Sequence, residues 1–302
     1  MKLDELQSHL TGLMSFPVTP FDAAGELDLP RFREHFREQL ASEASALFVA
    51  CGTGELFSLG PDEHQDVVRA AVQEAAGAKP VVAGVGYGWG LASEMAQAAQ
   101  RAGADAVLVL PPYLVQAEQE GLYAHYRRIA EAVSIGIIPY QRANGVLAPE
   151  TVARLSTLPN LVALKDGHGD VDLLTRVRLA TDGQLPLMNG MPTAELSSYA
   201  FRACGVGSYS SAVLNFVPEL ATAYYRAFVA RDAETTDRLL RGFFKPLVEL
   251  RDKRPGYAVA LIKAGVNARR ASVGAVRPPL LPPTEEHQER LEKIIADGLG
   301  LL

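Results

Sequence analysis

Of the seven lysines in this chain, Lys165 alone sits within an apolar strand pattern, LVALKDG at 161–167. An ammonium in such a place must be paired or give up its proton. An amine without its proton attacks carbonyl carbon, so a desolvated lysine suits Schiff-base formation. The other reading is a buried ion pair with Asp166 or Glu55, and position in the sequence leaves the two level. Tyr140, in the neighbouring run GIIPYQ at 136–141, is the natural companion. A phenol beside the amine can pass protons while a carbinolamine forms and loses water. Its alternative is an aromatic lid whose hydroxyl is satisfied by backbone. In CGTGELFSL (51–59), Gly52, Thr53 and Gly54 form a turn whose N–H groups and hydroxyl can converge on an anion. A carboxylate fits that turn better than a nucleotide phosphate, because neither a Walker pattern nor G-x-G-x-x-G is present there.

Other chemistries find little support. The six histidines show no metal-ligand spacing, the chain has no G-x-S-x-G elbow, and Cys51 and Cys204 make neither a disulfide framework nor a Cys-rich metal site. Cys51 has no evident base and reads as a small core residue. GVGYGWG (84–90) lacks the context of a dinucleotide site and reads as a tightly packed loop. With Lys+Arg 29 against Asp+Glu 35, a net charge of −6 and no basic stretch, there is no footprint for nucleic acid. No apolar run approaches a membrane span, and the first twenty residues do not read as a signal peptide, so a cytoplasmic protein with no membrane partner is expected.

Groups of this kind need a frame. The 302 residues, 48% of them hydrophobic, are enough for one large domain or two ordinary ones. Eight short apolar runs, at 12–19, 46–52, 80–86, 106–112, 136–141, 161–167, 185–190 and 205–212, each stop at Gly, Pro, Ser or Asn. Such runs suit strands buried on both faces. Amphipathic stretches such as 29–40 and 62–76 lie between them, the second started by Pro61 and stopped by Gly77. The alternation predicts an α/β fold with a parallel sheet, and the count of eight selects a closed (β/α)₈ TIM barrel over residues 1–228. From 229 to 302 the pattern is helical, at 232–251, 256–268 and 284–298, with a PPLLPP break at 278–283. This C-terminal helical appendage reads as capping or dimer contact. In such barrels the reactive groups lie at the C-terminal ends of strands. That rule adds Thr19, Arg142, Asn189, Ser210 and Ser211 to the polar residues of interest.

A Thr-Pro-Phe at 19–21, the Gly-Thr-Gly-Glu turn at 52–55, a fifth-run Tyr and a sixth-run Lys-Asp occur here in one order. As a set they resemble the dihydrodipicolinate synthase/N-acetylneuraminate lyase family over nearly the whole chain. The resemblance implies Lys165 as Schiff-base amine and Tyr140 as proton shuttle. It also implies Gly52, Thr53 and Gly54 as the clamp on the carboxylate of a small-molecule 2-keto acid, and a homotetramer or homodimer. FPVTPFDAAGELD (16–28), GTGELFSL (52–59), LPPYL (110–114), VGSYSSAVLNF (206–216) and PGYAVALIKAG (255–265) resemble the family's decarboxylating dehydratase branch. That branch implies conversion of 5-dehydro-4-deoxy-D-glucarate to 2,5-dioxopentanoate, water and carbon dioxide, with no metal and no organic cofactor, since the imine is the electron sink. Gly52 and Leu114 stand where the synthase pattern has a second Thr and a second Tyr. Gln141 stands where the dehydratase branch has Asn, a change that bears on substrate choice. A substrate charged at both ends needs a second clamp, for which Arg142, Ser210, Ser211 and Asn215 are candidates. Arg142 stands out because a guanidinium grips a carboxylate with two bonds. The rival readings are an aldolase for 2-keto-3-deoxy sugar acids, a non-catalytic ligand-binding barrel and a metal-dependent hydrolase.

Overall fold

In a computed structural model that describes residues 1–302, eight parallel strands close into a barrel in strict chain order. They are β1 (Leu13–Ser15), β2 (Ala46–Val49), β3 (Val81–Val85), β4 (Ala106–Val109), β5 (Gly136–Gln141), β6 (Leu164–Asp166), β7 (Leu187–Asn189) and β8 (Ser208–Ser211). Each of the eight apolar runs contains one of these strands. β5 fills its run, and the other seven strands are shorter than theirs.

Both faces of β2, β3 and β4 are apolar, which hides an alternation that the structure makes plain. Phe48, Val82, Ala106, Leu108, Ile138 and Tyr140 point into the barrel, where 15 buried residues form the interior core. Their neighbours Leu47, Val49, Val81, Ala83, Val107 and Ile137 point outward into the larger core between strands and helices. The period of two therefore decides which polar side chain can see the barrel lumen.

The helices follow the signals in the sequence. Leu29–Leu40 starts behind Asp28, whose carboxylate accepts from the Arg31 N–H. Pro61–Ala75 opens with proline in its first turn, and Glu63 reaches back to the Gly60 N–H at 2.9 Å. It ends at Ala76 and Gly77, both in the left-handed region.

The helix Pro218–Ala230 carries the chain across residue 228 into an all-helical segment. There Ala233–Leu239 and Lys245–Arg251 are joined through a π-helical turn at Leu240–Phe244. Pro246 has no N–H for the carbonyl one turn back, and the wider turn absorbs that defect. Tyr257–Arg269 and Glu285–Leu299 follow. These helices share a core of 29 buried residues with Leu13, Val18, Tyr209 and Phe216 from the barrel. No helix is long and apolar enough to cross a membrane.

Candidate active site

β5 and β6 pair with Tyr140 opposite Lys165. Both residues fall on the inward phase of their strands, so the amine and the phenol meet inside the barrel mouth. Lys165 is only 5% exposed. Its Nζ lies 4.1 Å from the centre of the Tyr140 ring and 4.4 Å from that of Phe16, itself stacked on Phe48 at 4.6 Å.

Neither expected carboxylate partner reaches the amine. Asp166, on the outward phase, accepts from Gln141 Nε2 at 2.6 Å and from the Gly169 N–H at 2.9 Å. Burial raises its pKa against the pull of those bonds. Glu55 is paired with Lys263 at 2.7 Å, both side chains being almost fully buried. The ion-pair reading of Lys165 therefore fails, and its nitrogen faces a cavity of about 250 Å³.

Room for this pair is made by two missing side chains. A Cβ on Gly190 would stand 2.8 Å from Lys165 Cγ, and one on Gly167 would stand 2.6 Å from the Tyr140 hydroxyl oxygen. Gly190 has a second function, since its carbonyl accepts the Tyr140 hydroxyl at 2.9 Å. The phenol is thus satisfied by backbone while its ring remains on the amine.

Gly52 and Thr53 line the same cavity. The turn is framed by Ala50 and Glu55, non-glycine residues at φ of 48° and 55°, and strain of this kind concentrates at functional sites. No protein acceptor is bonded to the N–H groups of Gly52 and Thr53, which leaves them free to receive an anion. Arg142 and Ser210 also line the cavity. The Arg142 guanidinium is exposed and unpaired, and Ser210 donates only a long 3.4 Å bond to the Asn189 carbonyl.

Four candidates lie elsewhere, each for a physical reason. Gly54 is buried beneath the turn, where its carbonyl accepts the Thr19 hydroxyl at 2.7 Å. Asn189 spends its amide on Ala194 O and Ser197 Oγ and accepts from the Met191 N–H, shaping the loop after β7. Ser211 is on the outward phase of β8 and donates at 2.6 Å to Glu195, whose carboxyl burial pushes up to about 7. Asn215 donates to Phe16 O and Ala212 O and accepts from the Val18 N–H and His35 Nε2, so it buttresses the end of β1. Gln141 also faces outward, its amide bridging Asp166 and the Leu147 N–H. The Asn-to-Gln departure at this position therefore does not reach the cavity.

No polar motif marks the cavity's opposite wall, although PGYAVALIKAG (255–265), noted above for its resemblance, forms part of it. Seven of its 22 lining residues come from the C-terminal helices: Leu247, Arg251, Tyr257, Ala258, Val259, Leu261 and Ile262. The appendage builds the site as well as capping the barrel, a correction to its reading as a cap or dimer contact. Gly190, Met191, Pro192 and Thr193 complete the mouth. No group of three or more His, Cys, Asp or Glu side chains is arranged to hold a metal ion.

This geometry has relatives. The model of the dihydrodipicolinate synthetase family matches residues 9–297. The chain belongs to that family. Among its members, a "Probable 5-dehydro-4-deoxyglucarate dehydratase 1" of Streptomyces avermitilis is 48% identical over 97% of this chain and 95% of its own. A "Probable 5-dehydro-4-deoxyglucarate dehydratase" of Rhizobium meliloti is 46% identical over 98% of both chains. The dihydrodipicolinate synthase of Bacillus clausii superposes with a TM-score of 0.89 at 26% identity, over 96% of this chain and 98% of that one.

Proposed function

We propose that this member of the dihydrodipicolinate synthetase family converts 5-dehydro-4-deoxy-D-glucarate to 2,5-dioxopentanoate, water and carbon dioxide through an imine on Lys165. The observation that carries the reading is an inward-facing amine with no carboxylate partner, sharing one cavity with an unsatisfied anion turn. The names of relatives at 46–48% identity favour the dehydratase over other activities of the family.

In this scheme Gly52 and Thr53 hold the carboxylate next to the keto group. Lys165 Nζ forms a bond to the keto carbon, and the carbonyl oxygen leaves as water with protons passed through Tyr140. The iminium acidifies the adjacent methylene. Loss of a proton there gives an enamine, which expels the hydroxyl on the carbon beyond the methylene, protonated to water, and leaves a conjugated iminium. The bond to the distal carboxylate then breaks, and its electron pair flows through that conjugation to nitrogen. Carbon dioxide departs, and protonation with hydrolysis releases 2,5-dioxopentanoate and the free amine. The imine is the electron sink, so the scheme calls for no metal or organic cofactor.

Assembly as a homodimer or homotetramer is part of the same reading. It is supported by the run Tyr113, Leu114 and Val115, exposed at 64%, 81% and 59%, beside the ring of Tyr87.

The test is borohydride reduction in the presence of substrate, followed by mass analysis. An adduct on the Lys165 peptide, its loss in Lys165→Ala, and carbon dioxide release without pyruvate are expected. Pyruvate release would instead identify an aldolase. Full turnover by Lys165→Ala would end the proposal.

A further inference from the structure

The two guanidinium groups on the cavity wall differ in how they are held. Arg142 is exposed and bonded to nothing. Arg251 reaches in from the end of Lys245–Arg251, and its Nη1 donates to Pro192 O and to Thr193 Oγ1, each at 3.0 Å. Its Nε donates to Asp252 at 2.8 Å, but that carboxylate is 61% exposed and screened by solvent, so the positive charge still acts on the cavity. Nη2 has no partner. One nitrogen with two N–H groups is therefore left over, on a planar group whose orientation is already fixed.

The contact with Thr193 is informative. Thr193 is β-branched yet sits at φ of 54°, a conformation costly for such a residue. Arg251 holds that strained residue in place, and the segment it holds, Gly190–Thr193, is itself cavity wall and carries the carbonyl that anchors Tyr140. A pre-ordered guanidinium loses less freedom on binding than a free one, so of the two arginines Arg251 is the better anion receptor.

We propose that Arg251 binds the distal carboxylate of a 2-keto dicarboxylate and thereby sets the preference for dicarboxylic over monocarboxylic substrates. The proposal rests on the Schiff-base reading of the site and adds to it the residue that reads the far end of the substrate.

Two six-carbon keto acids that differ only at that end test it: 2-oxoadipate and 2-oxohexanoate. Each is titrated against the intact protein with borohydride trapping on Lys165 as the readout. Wild-type protein is expected to half-saturate at a lower concentration of 2-oxoadipate. Arg251→Met is expected to raise that concentration about 10- to 100-fold, the loss of a charge-assisted pair. Its value for 2-oxohexanoate should stay within about threefold. Arg251→Lys, which keeps the charge without the planar fork, should fall between the two. Should Arg251→Met not fold, Arg251→Lys carries the comparison alone, with a selective rise for 2-oxoadipate required. An equal rise for both acids would mean that Arg251 only supports the 190–193 segment, and the proposal falls. It also falls if wild-type protein shows no preference, or if Arg142→Gln removes the preference and Arg251→Met does not. Wild-type protein that traps neither acid would overturn the Schiff-base reading itself, an outcome distinct from the others.

Discussion

A methyl group added at Gly190 would lie 2.8 Å from Cγ and 2.9 Å from Cε of Lys165, so the amine must shift to make room for it. Because the reacting atoms of an imine site must be placed to within a fraction of an ångström, Gly190→Ala is expected to lower kcat at least about tenfold while the fold persists. Steady-state rates set beside urea unfolding would show that split.

Glu195 gives a second prediction at this scale. Burial raises its carboxyl from the usual value of 4.5 to about 7, against the Ser211 hydrogen bond. The folded protein then holds this proton more tightly than the unfolded chain does. Its contribution to stability is complete below about pH 4.5 and is lost as the pH rises to 7, roughly 3 kcal/mol in all. Glu195→Gln, neutral throughout, should match wild type near pH 4.5 and exceed it at pH 8 in urea unfolding.

Lys165 was legible in the sequence because a charge inside an apolar run is conspicuous. Ser211 and Asn189 were not separable from Ser210, because strands buried on both faces print no alternation that tells lumen from outer layer.

At the scale of elements, the Gly52–Gly54 turn is held from the far end of the chain. Glu55 follows the turn and is fully buried, with Lys263 of the helix Tyr257–Arg269 at 2.7 Å and the Arg277 N–H at 3.1 Å. Lys263 also donates to Ala275 O, and burial pushes its ammonium down to about 8 despite the attraction of Glu55. Arg277 in turn grips Glu63 with two bonds at 2.6 and 2.7 Å. Removing one member of a buried pair strands the other, so Lys263→Met is expected to cost about 3–5 kcal/mol. The double variant with Glu55→Gln should cost clearly less than the two single changes added together, in a denaturation cycle. Lys263→Met should also raise KM more than it lowers kcat, because the turn proposed to receive the substrate carboxylate loses its anchor. The helix Tyr257–Arg269 was readable from its periodicity at 256–268. Its partnership with a turn so distant in sequence was not, because nothing local to either segment encodes it.

At the scale of the molecule, the barrel and the C-terminal helices share a core as well as a cavity. A chain ending at residue 230 would leave Leu13, Val18 and Phe216 without the helices that cover them and remove seven cavity residues. Such a chain is expected to show no cooperative unfolding transition and no borohydride adduct with pyruvate, by circular dichroism and mass analysis. Barrel closure could be counted from eight apolar runs, since each strand advertises itself. The cavity wall could not, because Arg251 and Ile262 look like ordinary helix residues until the tail is laid across the mouth.

Glu55 leaves the ribosome more than two hundred residues before Lys263 does. Until that helix arrives, the emerging polypeptide holds a carboxylate that it cannot bury at low cost, beside a half-walled pocket. The reactive end of the barrel is thus finished last, and a truncated product of interrupted synthesis would carry the lysine without the enclosure needed to use it.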